Sequence, residues 1–202
     1  MRTTQTGFTL VELMVTIVLV GILLGIGVPN FRDFIRNSRM TSAANDLLAD
    51  LNLARSESVK RRVPVTLCTS ANGSACDTSA TSSFSRWIVF VDDVNAAASS
   101  SNDGNGIVNT GEQVLQDRSI SATIEAPAAG RFVVFQPSGF PATGANNLTR
   151  VLFCDARGSA ISVGGQSAAR GLAIGATGRA AITRDKDRIE DDVDEGGFGG
   201  CP

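Results

Sequence analysis

Three regimes of hydrophobic and polar patterning follow one another along the chain. From Phe8 to Val28 (FTLVELMVTIVLVGILLGIGV) almost every position is apolar, and only Thr9, Glu12 and Thr16 interrupt the run. A helix needs about 20 mostly apolar residues to cross a hydrocarbon layer roughly 30 Å thick, and this stretch meets that length. It is apolar on all sides rather than along one stripe, which argues against the helix of a water-soluble core. Pro29 comes next; its ring removes one helical hydrogen bond, so it kinks or locally breaks a helix rather than ending it here. Beyond it Phe31, Phe34, Ile35, Ala43, Ala44, Leu47, Leu48, Leu51 and Ala54 recur at spacings of three and four. That is the period of a half-buried helix. Arg32, Asp33, Arg36, Arg39, Asn45, Asp46 and Asp50 fill much of the other face. One long helix from about Thr9 to about Lys60 is predicted, with Lys60, Arg61 and Arg62 complementing the negative end of its dipole.

After Pro64 the period changes again. VPVTLC, Trp87–Val91, Ser119–Ile124, Arg131–Gln136, Thr149–Cys154, Ala160–Val163, Gly171–Ile174 and Arg179–Thr183 are short β-like runs. Clusters of Gly, Ser, Asn, Asp and Pro separate them, as in antiparallel sheet proteins. The low-complexity stretches Asn72–Ser85 and Ala96–Asn109 are polar and small, and read as surface loops. The fold class is therefore α+β: a long N-terminal helix packed on a C-terminal antiparallel β domain.

Glu12 is the anomaly within the apolar run. A carboxylate in lipid costs at least about 2.5 kcal/mol unless it finds a partner, so it reads as functional. A secretory signal would carry a shorter apolar core with its small-residue cleavage site behind it. Here the small residue, Gly7, stands ahead of the run, behind the polar leader MRTTQT. A plain anchor leaves both Glu12 and the Gly7–Phe8 junction unexplained.

At these residues, GFTLVE ahead of a membrane-length run, the chain resembles the processing site of type IV pilins and type II secretion pseudopilins. The resemblance implies cleavage between Gly7 and Phe8 by a prepilin peptidase, and N-methylation of Phe8. It also implies an assembly role for Glu12, the fifth residue of the processed chain. The physics is consistent with this. Cleavage creates a cationic amine at Phe8, and the Glu12 carboxylate of one subunit neutralises the amine of its neighbour, sparing both the cost of standing alone in an apolar medium. Arg2 favours a cytoplasmic N-terminus and an exported remainder. The expected organisation is a leader over 1–7, a transmembrane and filament-core helix over 8–28, its amphipathic continuation over 29–62, and a periplasmic or extracellular β domain over 63–202.

The β region narrows the resemblance. LLADLNLARSESVKRRVPVTLC, WIVFVDD, GEQVL, FQPSGFP, LFCD and GRAAI follow in an order similar to the FimT/GspH group of minor pilins and pseudopilins. That group implies a long helix on two antiparallel sheets, in a subunit near a pilus or pseudopilus tip. Its partners are other pilins, the peptidase and, before assembly, the inner membrane.

Composition removes most enzymatic readings. The chain of 202 residues has no histidine and no tyrosine, and its formal net charge is −2. The commonest general base and metal ligand are thus missing, and no global field draws the protein to nucleic acid. No G-x-S-x-G or phosphate loop is present. A structural subunit, not an enzyme, is expected, with no cofactor required.

Four cysteines in an exported domain point to disulfides. A Cys₄ zinc site lacks the close C-x₂₋₄-C pairs it needs. Three connectivities are open. The expected one is Cys68–Cys76, closing a short polar loop, with Cys154–Cys201 tying down the Gly-rich tail.

Two further candidates are weighed. Against the calcium-loop template, Asp103, Asn105, Gly106 and Glu112 fall on positions 3, 5, 6 and 12, but Ser101 replaces the first aspartate. A turn-rich hairpin loop has the same composition. Arg170, Arg179, Arg184, Lys186 and Arg188 form a candidate double-stranded DNA contact, since some members of the group resemble DNA receptors for uptake. Phosphates are bound by such cations without sequence preference. Against this, Glu190, Asp191, Asp192, Asp194 and Glu195 follow at once, no aromatic side chain is interleaved, and position 181 is Ala where the GR-x-R pattern wants arginine.

Overall fold

The computed structural model describes residues 7–77, 84–93, 103–144, 147–161, 165–191 and 197–201. It divides into two units, residues 1–38 and 39–202. Helix α1 runs from Leu10 to Arg61 and is neither ended nor interrupted by Pro29. It stops where Arg62 takes a positive φ of 61° and Pro64 follows; proline cannot continue the helical hydrogen bonding.

In the second unit α1 buries Met40, Ala43, Ala44, Leu47, Asp50, Leu51, Ala54 and Ser58. The buried stripe therefore begins at Met40. Phe31 and Phe34, expected on the half-buried face, are 63% and 67% exposed, with ring centroids 6.5 Å apart.

Two antiparallel four-stranded sheets complete this unit. The strands are β1 (Val65–Thr69), β2 (Arg86–Val91), β3 (Val114–Ser119), β4 (Ala128–Ala129), β5 (Phe132–Phe135), β6 (Arg150–Phe153), β7 (Arg170–Ile174) and β8 (Ala180–Thr183). The first sheet has the order β3-β2-β1-β5 and the second β4-β6-β7-β8. Leu47 and Leu51 of α1 share one core with Val65, Leu67, Trp87, Val89, Val133, Phe135, Val151, Phe153 and Leu172. The opposite face of the first sheet is also covered: Cys68, Ile88 and Phe90 pack with Cys76, Val108, Val114 and Phe132. Burial on both faces is why WIVFV is continuously apolar rather than alternating.

Two strand expectations need correction. The run Ser119–Ile124 is not a strand beyond its first residue. The Ile124 amide donates to the Ser121 carbonyl at 2.9 Å, closing a turn. The strand lies earlier, at β3, where edge position allows the polar sequence VLQDRS. Ala160–Val163 supplies only an isolated bridge, Ile161 to Ser167, and residues 162 and 163 lie outside the described residues. The C-terminal region adds a short helix α2, Lys186–Glu190, capped by Asp185, whose side chain accepts from the Asp187 amide.

Both disulfides are formed as Cys68–Cys76 and Cys154–Cys201. The second joins β6's end to the tail, where Cys154, Leu152, Ala169, Ile189, Phe198 and Cys201 make a small separate core. Gly171 belongs to that design: a Cβ there would lie 2.7 Å from the Phe198 ring.

A carboxylate ties the helix to the first sheet. Asp50 is only 2% exposed. Its Oδ2 accepts from Trp87 Nε1 and from Arg118 Nε, both at 2.8 Å, and its Oδ1 accepts from Arg118 Nη2 at 3.3 Å. Asp50 was expected on the polar face. Its position, three after Leu47 and four before Ala54, places it on the buried stripe.

Two outcomes are expected from thermal unfolding of the full chain in detergent. Asp50→Ala should destabilise the domain by about 2–4 kcal/mol, because it strands an indole N–H and a guanidinium. Asp46→Ala, which removes only the 3.5 Å contact to Arg118 between two partly exposed groups, should cost under about 0.5 kcal/mol. Equal effects would mean that Asp50 is not the tie. Paired Cys154→Ser and Cys201→Ser changes, which open a closure of sequence separation 47, should cost about 2–4 kcal/mol under oxidising conditions. An unchanged melting temperature would show that the tail adds nothing to stability.

Candidate functional site

The first unit holds the Gly7–Phe8 junction and Glu12. Gly7 and Phe8 precede the helix, and Phe8 is 78% exposed. Thr9 starts α1: its Oγ1 accepts from the Glu12 amide at 3.2 Å, and its carbonyl accepts from the Leu13 amide at 3.2 Å. Thr9 and Glu12 have the spacing of a capping box, a second and local use for a carboxylate at this place. Thr16 Oγ1 donates back to the Leu13 carbonyl at 2.8 Å, so its hydroxyl needs no outside partner. Asn30 does likewise to Ile26 at 2.9 Å.

Around Glu12 the surface is apolar in every direction. Leu10, Val11, Leu13, Met14, Val15, Ile17, Val18 and the residues up to Val28 are exposed, and none of the most apolar window of α1 is buried within this chain. Burying one such large side chain is worth about 1.5–3 kcal/mol, so their sum far exceeds the cost of carrying one carboxylate into an apolar medium. This helix is built to be covered by something other than its own domain.

The calcium candidate is organised differently from its template. Ser101 lies outside the described residues. Asn105 Oδ1 accepts from the Ile107 amide at 2.7 Å, and Glu112 Oε2 accepts from the Asn109 amide at 2.7 Å. The loop folds instead around Asp92, a residue the sequence reading did not single out. Asp92 is fully buried; its Oδ2 accepts from Thr66 Oγ1 at 2.6 Å and from the Gly106 amide at 2.8 Å. Burial raises its pKa, while the bonds from Thr66, Gly106, Asn105 and Gly104 hold it down in part. Glu112 is also raised, by burial first and with the charges of Asp92 and Asp103 adding to it. Asp103 is half-buried in the same loop. Among the described residues no three His, Cys, Asp or Glu side chains converge as a metal site.

The basic set is divided rather than gathered. Arg170, expected as a phosphate contact, is 2% exposed and cannot serve as one. Its Nη1 donates to the carbonyls of Ser167, Ala168 and Ala169 at 3.2, 2.7 and 3.0 Å, and its Nη2 to Thr41 Oγ1 at 3.4 Å. It stitches the β7 entry to α1. Its pKa is pushed down to about 10, first by burial and then by Arg184 and Arg157. A strand position inside a sheet, directly after two buried alanines, was the available signal. Lys186 pairs with Glu190 one turn along α2. Arg179 and Arg188 are exposed and Arg184 is half-buried. Of the acidic run, Asp192, Asp194 and Glu195 lie outside the described residues.

Comparison with known proteins follows the same division of the chain. Residues 43–178 match the family model for type II transport protein GspH, and residues 2–28 match the prokaryotic N-terminal methylation motif. Fimbrial protein EcpC of Eikenella corrodens is 42% identical over 45 residues, which is 22% of this chain and 29% of that protein. The type IV major alpha-pilin of Moraxella bovis is 36% identical over 61 residues, 30% of this chain and 38% of that protein. The chain thus spans about a third of the length of the curated relatives it matches. Among solved structures, the type IV minor pilin FimU of Pseudomonas aeruginosa aligns with a TM-score of 0.43 at 21% identity, over 74% of this chain and 92% of that one. The family model alone covers well over half of the sequence and takes in every strand but β8, so this chain belongs to the GspH family, with an N-terminal methylation motif ahead of it.

Proposed function

We propose that the chain is a minor pilin or pseudopilin, a structural subunit that joins or primes a type IV pilus or a type II secretion pseudopilus. The observation that carries this is the helix of the first unit: exposed apolar side chains on every face, one carboxylate at Glu12, and a Gly7–Phe8 junction directly before it. In this reading residues 1–7 are a leader removed by the prepilin peptidase, and Phe8 becomes the methylated terminus. The 8–28 segment waits in the inner membrane with the N-terminus cytoplasmic and the β domain periplasmic, then moves into the filament near its tip.

Glu12 supplies the selectivity. Apolar side chains pack against lipid as readily as against another helix, so they do not by themselves favour leaving the bilayer. A carboxylate does, because a neighbouring subunit offers the positive Phe8 amine that lipid lacks. The β domain acts as the exported cargo of that helix and provides its outer surface.

In a host carrying the filament machinery, Gly7→Ala should leave the chain unprocessed, as read by intact mass. A normal mature chain beginning at Phe8 would overturn the peptidase reading. Glu12→Gln, which keeps size and removes charge, should be processed and membrane-inserted but fall at least about tenfold in sheared filament fractions, the ratio that loss of roughly 1.4 kcal/mol gives. Unchanged incorporation would exclude charge pairing as the assembly signal.

A further inference from the structure

Asparagine followed by glycine is a weak point in any chain, because glycine places no side chain in the way of its own nitrogen. The sequence has two such pairs, Asn72–Gly73 and Asn105–Gly106. For the reaction, the backbone nitrogen of the glycine gives up its proton and attacks Cγ of the asparagine. Ammonia leaves, a five-membered imide forms, and water opens it to aspartate or isoaspartate. The two pairs differ in the group that holds the glycine N–H.

At Asn105–Gly106 each reacting atom is held. The Gly106 N–H donates to Asp92 Oδ2 at 2.8 Å, the Asn105 N–H reaches Asp92 Oδ1 at 3.3 Å, and the Gly104 N–H donates to the Asp92 carbonyl at 2.9 Å. Asp92 is itself fully buried and fixed by Thr66 Oγ1. Asn105 Oδ1 accepts from the Ile107 amide at 2.7 Å, which fixes the side-chain amide on a different N–H from that of the glycine. Gly106 has a φ of +72°, and a Cβ there would stand 2.8 Å from the Phe132 ring, so this glycine packs closely against that ring. Attack requires these bonds to break together. At Asn72–Gly73 the asparagine is exposed and its Oδ1 likewise accepts from the amide two residues on, Ser74, at 2.9 Å, but the Gly73 N–H donates to a neutral hydroxyl, Ser70 Oγ, at 2.9 Å.

We propose that Asn105–Gly106 is a latent modification site kept shut by Asp92, and that it converts to aspartate or isoaspartate once the Asp92 contact is lost. Conversion is one-way in its consequences. It puts a negative charge on the residue whose own N–H is bonded to the Asp92 carboxylate, and like charges within one loop oppose re-formation of the nest. The loop from Asp103 to Glu112 then cannot return to its starting state.

The test incubates the full chain in detergent, in mildly alkaline buffer, beside the same chain unfolded in urea, and maps the mass gain of amide-to-acid exchange by peptide. In the folded protein the Asn72 peptide should convert, and the Asn105 peptide should convert at least about tenfold more slowly than in the unfolded chain, the least that a hydrogen bond to a charged acceptor gives. Equal Asn105 rates folded and unfolded would overturn the proposal. Asp92→Asn, checked for retained secondary structure by circular dichroism, should bring the folded Asn105 rate up to within a few-fold of the unfolded one. A folded variant in which Asn105 stays silent would also overturn it. If Asp92→Asn does not fold, Thr66→Val takes its place, and it must accelerate Asn105 without accelerating Asn72 for the assignment to stand.

Discussion

Asp50 sits where a hydrophobic side chain would ordinarily be, on the face of α1 that packs on the first sheet. A lone carboxylate in that position would be strongly unfavourable. It is tolerated because Trp87 from β2 and Arg118 from β3 both bring donors to it. The requirement works in both directions: the indole and the guanidinium are themselves buried or half-buried polar groups that need an acceptor. Apolar packing would let the helix slide or rotate by small amounts against the sheet, because its free energy is nearly non-directional. Three hydrogen bonds of fixed geometry do not. The register of the helix against β2 and β3 therefore depends on this contact.

Two carboxylates on one helix thus answer opposite problems. Asp50 is satisfied inside its own domain. Glu12 lies among exposed apolar side chains and shares its end of the helix with Thr9. The difference between them is what separates a stability element from an assembly element: the partner of one is encoded in the same domain, and the partner of the other belongs to a second subunit in the reading proposed above.

Much of this architecture was legible in the sequence because its signals are local. Length and uniform apolarity marked the 8–28 run; the three-and-four period marked α1 beyond Pro29; Val65–Thr69, Trp87–Val91 and Phe132–Phe135 stood out as β-branched and aromatic runs. What escaped was set by tertiary context. The strand VLQDRS is polar because it lies at a sheet edge, and its side chains answer Arg86 and Asp50 rather than a core. Arg170 looked like a surface cation because sequence gives charge but not depth. Asp92 carried no motif at all; its partners Thr66, Gly104 and Gly106 are brought together only when the β1 end, the β2 end and the loop meet. Pairing of the cysteines was readable as one of three arrangements, and the small core around Phe198 that accompanies Cys201 was not.

In the reading proposed above, the bond between Cys154 and Cys201 has a consequence for the order of events during export. Strand β6 is translated and delivered first, but its end cannot be closed until 47 further positions have arrived, bringing α2 and Phe198 with them. A chain still threaded through the membrane lacks both the second thiol and the aromatic lid of that small core. On that reading, maturation of the domain is conditional on complete delivery into an oxidising compartment, and the covalent bond records that delivery has taken place.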